Sequence, residues 1–326
     1  MSTVSEKRQD KSTNGRLIPA LAGLASRVAP ELTARWAERV FLTPGRREPR
    51  AAESRALATG YRFRVPFAGG HLAAWSWGDG PTVFLAHGWG SSAARMTSFV
   101  EPLVARGFSV VAWDGPGHGL SDGETSSVIE LTAALRAVTE WTAAADAGAS
   151  HAGAIGHSIG GAAIALAGRQ GVRFRRAVGI GTPASLEPPS HEVMVRLGLS
   201  EEVRARMQQR IERRFGMPWS SLAVRHALPD HPLPLLLIHD VGDQAVPVEE
   251  SARIAEVWPG AERMLTQGLG HHRIVHDPKV VARASAFLAG IPAPNTGIPK
   301  TDARAQADTR RHALSRTDTI TLQQAT

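Results

Sequence analysis

Between residues 82 and 289, short apolar runs alternate with segments of helical period, and this alternation constrains the chain more than any other feature. Two neighbouring parallel strands need a crossover of a dozen or more residues, usually a helix. Repeated β-α-β units therefore build a mostly parallel sheet with helices on both faces. The apolar runs are 82–86, 108–113, 152–156, 176–181, 233–239 and 262–266. Helical segments are expected at 93–106, 127–145, 159–169, 248–257 and 278–289. Ahead of them, residues 61–67 and 71–77 flank Ala68-Gly69-Gly70 and read as a hairpin that adds an antiparallel edge. The fold class is α/β, a doubly wound and mostly parallel sheet.

Residues 183–230 interrupt the alternation. Ser200 is placed to cap a helix that starts with Glu201 and Glu202 and ends near Gly216 and Pro218. Its Val203, Met207, Ile211 and Phe215 form one apolar stripe. An insert this long, between strands of an open sheet, is expected to be a lid, with Met207 and Ile211 lining the substrate pocket. The chain is thus read as an N-terminal extension (1–60), a main domain (61–290) with the insertion at 183–230, and a flexible polar tail (291–326). Within the extension, residues 28–41 are expected to form an amphipathic helix. Its stripe of Val28, Leu32, Trp36 and Val40 is read first as buried on the domain's flank. A seat on a membrane surface or a partner is the alternative use of the same stripe.

Composition narrows the function. Apolar residues make up 43% of the chain, enough for a core, so wholesale disorder is excluded. There is no cysteine, which removes disulfides, thiolate nucleophiles and cysteine-ligated zinc together. The formal charge of +7 comes almost wholly from dispersed arginine, with lysine only at positions 7, 11, 279 and 300, and no motif accompanies it. Nucleic acid is therefore not expected as a partner. No apolar run reaches the length of a membrane span. Residues 17–26 lack a convincing cleavage signal, so a cytoplasmic location is expected. The oligomeric state is not legible.

The chemistry concentrates in a few turns. Gly156-His157-Ser158-Ile159-Gly160 matches G-x-S-x-G between a short apolar strand and an alanine-rich helix. In that setting the serine occupies a sharp turn with its hydroxyl over the sheet edge, and Ser158 is the expected nucleophile. A serine needs a base, and His271, after Gly268-Leu269-Gly270 in the loop beyond the last strand, is the first choice. His272 and His276 are its rivals; their i, i+4 spacing would suit a metal, but no carboxylate pattern completes such a site. Asp243 follows the strand at 233–239 and is the expected orienting carboxylate, with Asp240 read as a turn stabiliser. After the strand at 82–86, His87-Gly88-Trp89-Gly90 lets the N–H of Trp89 turn inward. With the N–H of Ile159 it would form an oxyanion hole. The Trp89 side chain is a further candidate pocket wall. Asp114-Gly115-Pro116-Gly117-His118-Gly119 lacks the glycine placement of a dinucleotide fingerprint, and no Walker pattern occurs, so no cofactor is expected.

These motifs, in this order, resemble the successive motifs of the α/β-hydrolase superfamily over about residues 61–290. The resemblance implies an eight-stranded sheet with an inserted lid and a cofactor-free site of Ser158, Asp243 and His271. Dehalogenases and epoxide hydrolases of that superfamily place aspartate at the turn, and Ser158 argues against both. Serine haloperoxidases, C–C hydrolases, thioesterases, peptidases and lipases remain similar at this level, because fold does not choose among them. The expected activity is that of a serine hydrolase acting on a small-molecule carboxylic ester through an acyl-enzyme. A lipase- or thioesterase-like enzyme on longer acyl chains is the alternative, and a non-catalytic ligand-binding protein is the rival of a different class.

Overall fold

Strands rich in valine, isoleucine and leucine on both faces, such as Thr82–Ala86 and Ser109–Trp113, suit only a sheet covered on both sides. The computed structural model, which describes residues 22–145, 151–224 and 233–290, builds that sheet. Its strands are β1 (Tyr61–Phe67), β2 (Gly70–Trp77), β3 (Thr82–Ala86), β4 (Ser109–Trp113), β5 (His151–His157), β6 (Arg176–Ile180), β7 (Leu235–Asp240) and β8 (Glu262–Thr266). Their spatial order is β1-β2-β4-β3-β5-β6-β7-β8. The β1–β2 hairpin pairs antiparallel, β2 pairs antiparallel with β4, and every later pairing is parallel. The carboxyl ends of β3 through β8 therefore share one edge.

The helices are α1 (Pro30–Leu42), α2 (Ala51–Ala58), α3 (Val100–Val104), α4 (Val128–Ala145), α5 (Ile159–Arg169), α6 (Glu187–Leu197), α7 (Glu201–Phe215), α8 (Glu249–Val257), α9 (Gly270–Arg273) and α10 (Pro278–Ala289). Residues 93–106 are not one helix: Ala93–Phe99 is a 3₁₀ segment and only Val100–Val104 is α-helical. α3, α10 and the 3₁₀ segment pack on one face of the sheet, and α4, α5 and α8 on the other. The first face holds a core cluster, with Val83, Leu85, Val110, Ile155, Ile180, Leu236 and Ile238 from the sheet against Met96, Phe99, Leu103, Val280 and Leu288.

The described residues fall into two compact units. The larger holds the sheet and comprises 43–185 with 221–290; the smaller comprises 22–42 with 186–220. In the smaller unit Ser200 Oγ accepts the Val203 N–H at 3.3 Å, and α7 ends at Gly216 with φ 66°. α7 packs on α1, and Arg210 of α7 reaches Glu38 at 2.7 Å and Glu31 at 2.9 Å. Val203, Met207 and Ile211 are buried and Phe215 is half-buried.

The orientation of α1 corrects the sequence reading. Its buried side is Thr33, Ala34, Ala37 and Leu42, whereas Val28, Leu32, Trp36 and Val40 are exposed, Leu32 by 65%. The physical reason is close approach: small residues let two helices lie near each other, and the Glu31 and Glu38 carboxylates turn toward the arginines of α7. The expected tail at 291–326 lies outside the described residues.

One turn of the larger unit is packed without tolerance. Between β5 and α5 the chain reverses so tightly that a methyl group at Gly156 would stand 2.5 Å from both the N and Cα of Gly161. Backbone cannot yield as a flexible side chain can. Gly156→Ala should therefore cost about 1–3 kcal/mol of stability, the usual range for overpacking. Equilibrium denaturation would check it, and a wild-type midpoint would contradict this packing.

Candidate active site

The same turn holds Ser158 at φ 54° and ψ −127°. Among the described residues, only Ala68 shares a positive φ without being glycine. Such angles cost of order 1–3 kcal/mol and persist only where the surroundings impose them. Here the constraint is visible: the Ser158 N–H donates to the Ile180 carbonyl at 2.8 Å, and Gly161 N–H donates back to the Ser158 carbonyl at 3.0 Å. Ser158 lies where β5 ends and α5 begins, and Ile159 opens the helix. First-turn amides have no intrahelical acceptor, so the Ile159 N–H is available to a ligand oxygen.

The loop after β3 meets this turn. A methyl at Gly88 would stand 3.1 Å from Ser158 Cβ and 2.9 Å from His157 Nδ1, so the 88–89 peptide lies against the serine. Its orientation is set by His87. Burial pushes the His87 imidazole down to about 4 despite its bond to the Gly88 carbonyl, so the ring is neutral and carries one proton. Nε2 accepts the Gly115 N–H at 2.8 Å, which assigns that proton to Nδ1, and Nδ1 donates to the Gly88 carbonyl at 2.8 Å. The peptide bonds are trans, so anchoring the Gly88 carbonyl turns the Trp89 N–H the opposite way. The Trp89 indole is 37% exposed and meets His118 edge-on at 5.4 Å between ring centroids. Burial and the neighbouring His87 push the His118 imidazole down to about 3.

Two further loops supply a histidine and a carboxylate. His271 Nδ1 lies 2.7 Å from Asp243 Oδ2, and Asp243 is buried. The other oxygen, Oδ1, accepts the N–H groups of Ala245 and Val246, each at 2.9 Å. His239 Nε2 stands 3.5 Å from Oδ2. Burial alone would raise the Asp243 carboxyl, but the hydrogen bonds from His239, His271 and the Val246 N–H outweigh it and hold the group well below the usual carboxylate range. Gly181, after β6, closes the arrangement: a methyl there would be 3.2 Å from His271 Nδ1 and 3.4 Å from Asp243 Oδ2. Ser158 is hydrogen-bonded to Ile180, the residue before Gly181, so the serine and the His271–Asp243 pair share one locality.

The rival residues lie elsewhere in the network. Asp240 accepts from the Thr266 hydroxyl and from the N–H groups of Leu269 and Gly242, and so ties the loops after β7 and β8 together. Asp114 accepts from the Ala93 and Leu120 N–H groups, and burial pushes its carboxyl up to about 6. His276 bonds Ser98 at 2.8 Å. His272 stacks edge-on with His271 at 5.3 Å between ring centroids. Met207 and Ile211 are buried in the smaller unit.

Sequence reasoning did not single out His87, His157 or Arg95 as parts of the site. His157 Nε2 lies 2.8 Å from the His271 carbonyl, and Arg95 Nη2 donates to the His272 carbonyl at 2.7 Å. The one signal that pointed to any of them was the position of His87 and His157 inside the glycine-rich motifs.

The comparisons with known proteins agree with this architecture. A family model described as serine aminopeptidase, S33, matches residues 80–230. No curated protein matches the chain significantly. Among solved structures, the Pyrococcus furiosus esterase Pf2001 is 23% identical with a TM-score of 0.60, over 76% of this chain and 97% of that one. Est1E from Butyrivibrio proteoclasticus, solved with ferulic acid, is 17% identical with a TM-score of 0.56, over 70% and 98%. A bromoperoxidase from Bacillus anthracis is 18% identical with a TM-score of 0.55, over 71% and 100%. The sheet order, the strained turn after β5, the family match and these neighbours together give this chain the α/β-hydrolase fold.

Proposed function

We propose that the protein is a serine hydrolase that cleaves carboxylic esters through an acyl-enzyme. The observation that carries the reading is the His271–Asp243 contact at 2.7 Å beside a serine held at positive φ. Ser158 attacks the acyl carbon while His271 Nε2 takes its proton. Asp243 accepts the Nδ1–H, which fixes the tautomer that leaves Nε2 free and stabilises the imidazolium as it forms. The Trp89 and Ile159 N–H groups receive the developing oxyanion. His271 then returns the proton to the leaving alcohol, and water deacylates Ser158 by the same path. Support for an ester comes from the esterases among the structural neighbours.

Turnover of a p-nitrophenyl ester series tests this reading. Ser158→Ala should fold normally and lose about 10⁴–10⁶ in kcat, as expected when a triad acts as a unit. Activity close to wild type would move the nucleophile elsewhere.

The two adjacent histidines make a sharper comparison. His271→Ala should abolish turnover, and His272→Ala should keep most of it, because only His271 reaches Asp243. The reverse ranking in steady-state assays would assign the base to His272.

Asp243→Asn can keep the Ala245 and Val246 N–H bonds through its amide oxygen, yet its NH₂ faces His271 Nδ1. Nδ1 must then accept, the proton moves to Nε2, and the base is blocked. A loss of about 10⁴ in kcat with little change in KM is expected, and retained kcat would remove Asp243 from the mechanism.

A further inference from the structure

The His271 loop is gripped from behind at two successive carbonyls, and both grips come from buried side chains distant in sequence. His157 contacts the His271 carbonyl through Nε2 at 2.8 Å. Burial, and then the neighbouring His271, holds the His157 imidazole well below its ordinary value, so it is neutral with one proton. A carbonyl can only accept, so that proton is on Nε2 and His157 is the donor. One residue later, Arg95 Nη2 donates to the His272 carbonyl at 2.7 Å. Arg95 is 6% exposed, a rare position for a guanidinium.

A third side chain faces Arg95 there with the opposite charge. Glu53 of α2 lies with Oε1 4.0 Å from Arg95 Nη1 and 3.6 Å from His276 Nε2. Its other oxygen, Oε2, accepts the Arg50 N–H at 2.7 Å at the start of the same helix. α2 packs on the 3₁₀ segment that carries Arg95. Ser98, on that segment, bonds His276 Nδ1 at 2.8 Å. The loop from His271 to His276 is thus tied to the segment Ala93–Phe99, and that segment to a helix ahead of the sheet.

We propose that Arg95 is a positioning residue for His271, held in place by Glu53, with His157 making the matching tie from the nucleophile turn. The proposal rests on His271 being the base. Two fixed carbonyls, in the successive 271–272 and 272–273 peptides, leave the backbone of that loop little freedom to swing. The imidazole is then presented to Ser158 and Asp243 in one place rather than sampled among several. A misplacement of about 1 Å in such a group can cost on the order of a hundred-fold in rate.

The test is kcat per active site, with sites counted by stoichiometric fluorophosphonate labelling, for wild type, Arg95→Met, Arg95→Lys and Glu53→Gln. Arg95→Met should lose about ten- to a hundred-fold in kcat per labelled site with KM within about two-fold. Arg95→Lys, which keeps one donor, should recover part of the loss. Glu53→Gln, which keeps the bond to the Arg50 N–H, should show a smaller loss with the same unchanged KM. A purely structural role would lower the number of labelled sites and the melting temperature while each surviving site turned over at the wild-type rate. That outcome in Arg95→Met overturns the proposal. Should Arg95→Met fail to fold, wild-type kcat per site in both Arg95→Lys and Glu53→Gln overturns it equally. A wild-type enzyme that takes no label instead overturns the serine reading, and this inference with it.

Discussion

Holding a serine at φ 54° against its conformational preference is the constraint on which the rest of this site depends. The turn between β5 and α5 leaves no room for side chains at Gly156, and it brings the Ser158 N–H onto the Ile180 carbonyl. That single bond anchors the turn at Ser158 to β6, and β6 carries Gly181 past the His271 ring. The serine is therefore registered to the His271–Asp243 pair through the sheet. A rigid parallel sheet with its carboxyl ends at one edge can hold three loops in this way.

Around that frame, neutral buried histidines act as oriented dipoles. His87 and His157 are both deprived of charge by burial, and each then has one N–H to aim. His87 aims at the Gly88 carbonyl and so turns the Trp89 N–H; His157 aims at the carbonyl of His271. A lysine or arginine in either place would bring a buried charge beside Ser158 and His271, and an aliphatic residue would leave the Gly88 and His271 carbonyls without these donors. His118 packs between His87 and Trp89 and completes a wall of rings on that side.

The strands and the strained turn were legible because their signals are local. Apolar runs of five or six residues, and glycine at positions 156 and 160, speak for themselves within ten residues of chain. The helix α2 was missed because Ala51–Ala58 has no apolar stripe and its N-cap is Arg50, which offers no serine or aspartate oxygen to the first-turn N–H groups. α6 carries Pro188 and Pro189 in its first turn, where proline is well accommodated but gives no apolar period to read. For α1 the period was right and the face was wrong: a repeat of four says that a stripe exists, while the small residues opposite it decide which side packs. The ties from Arg95 and His157 span 177 and 114 residues, and no spacing rule reaches that far.

Covalent labelling reads the central claim most directly. The wild-type protein, incubated with a fluorophosphonate and digested, should show one adduct by peptide mass spectrometry, on the peptide that contains Ser158 and at that residue. Its formation should require His271 and proceed without any added metal or cofactor. An unlabelled protein, or an adduct on any other residue, would contradict the account.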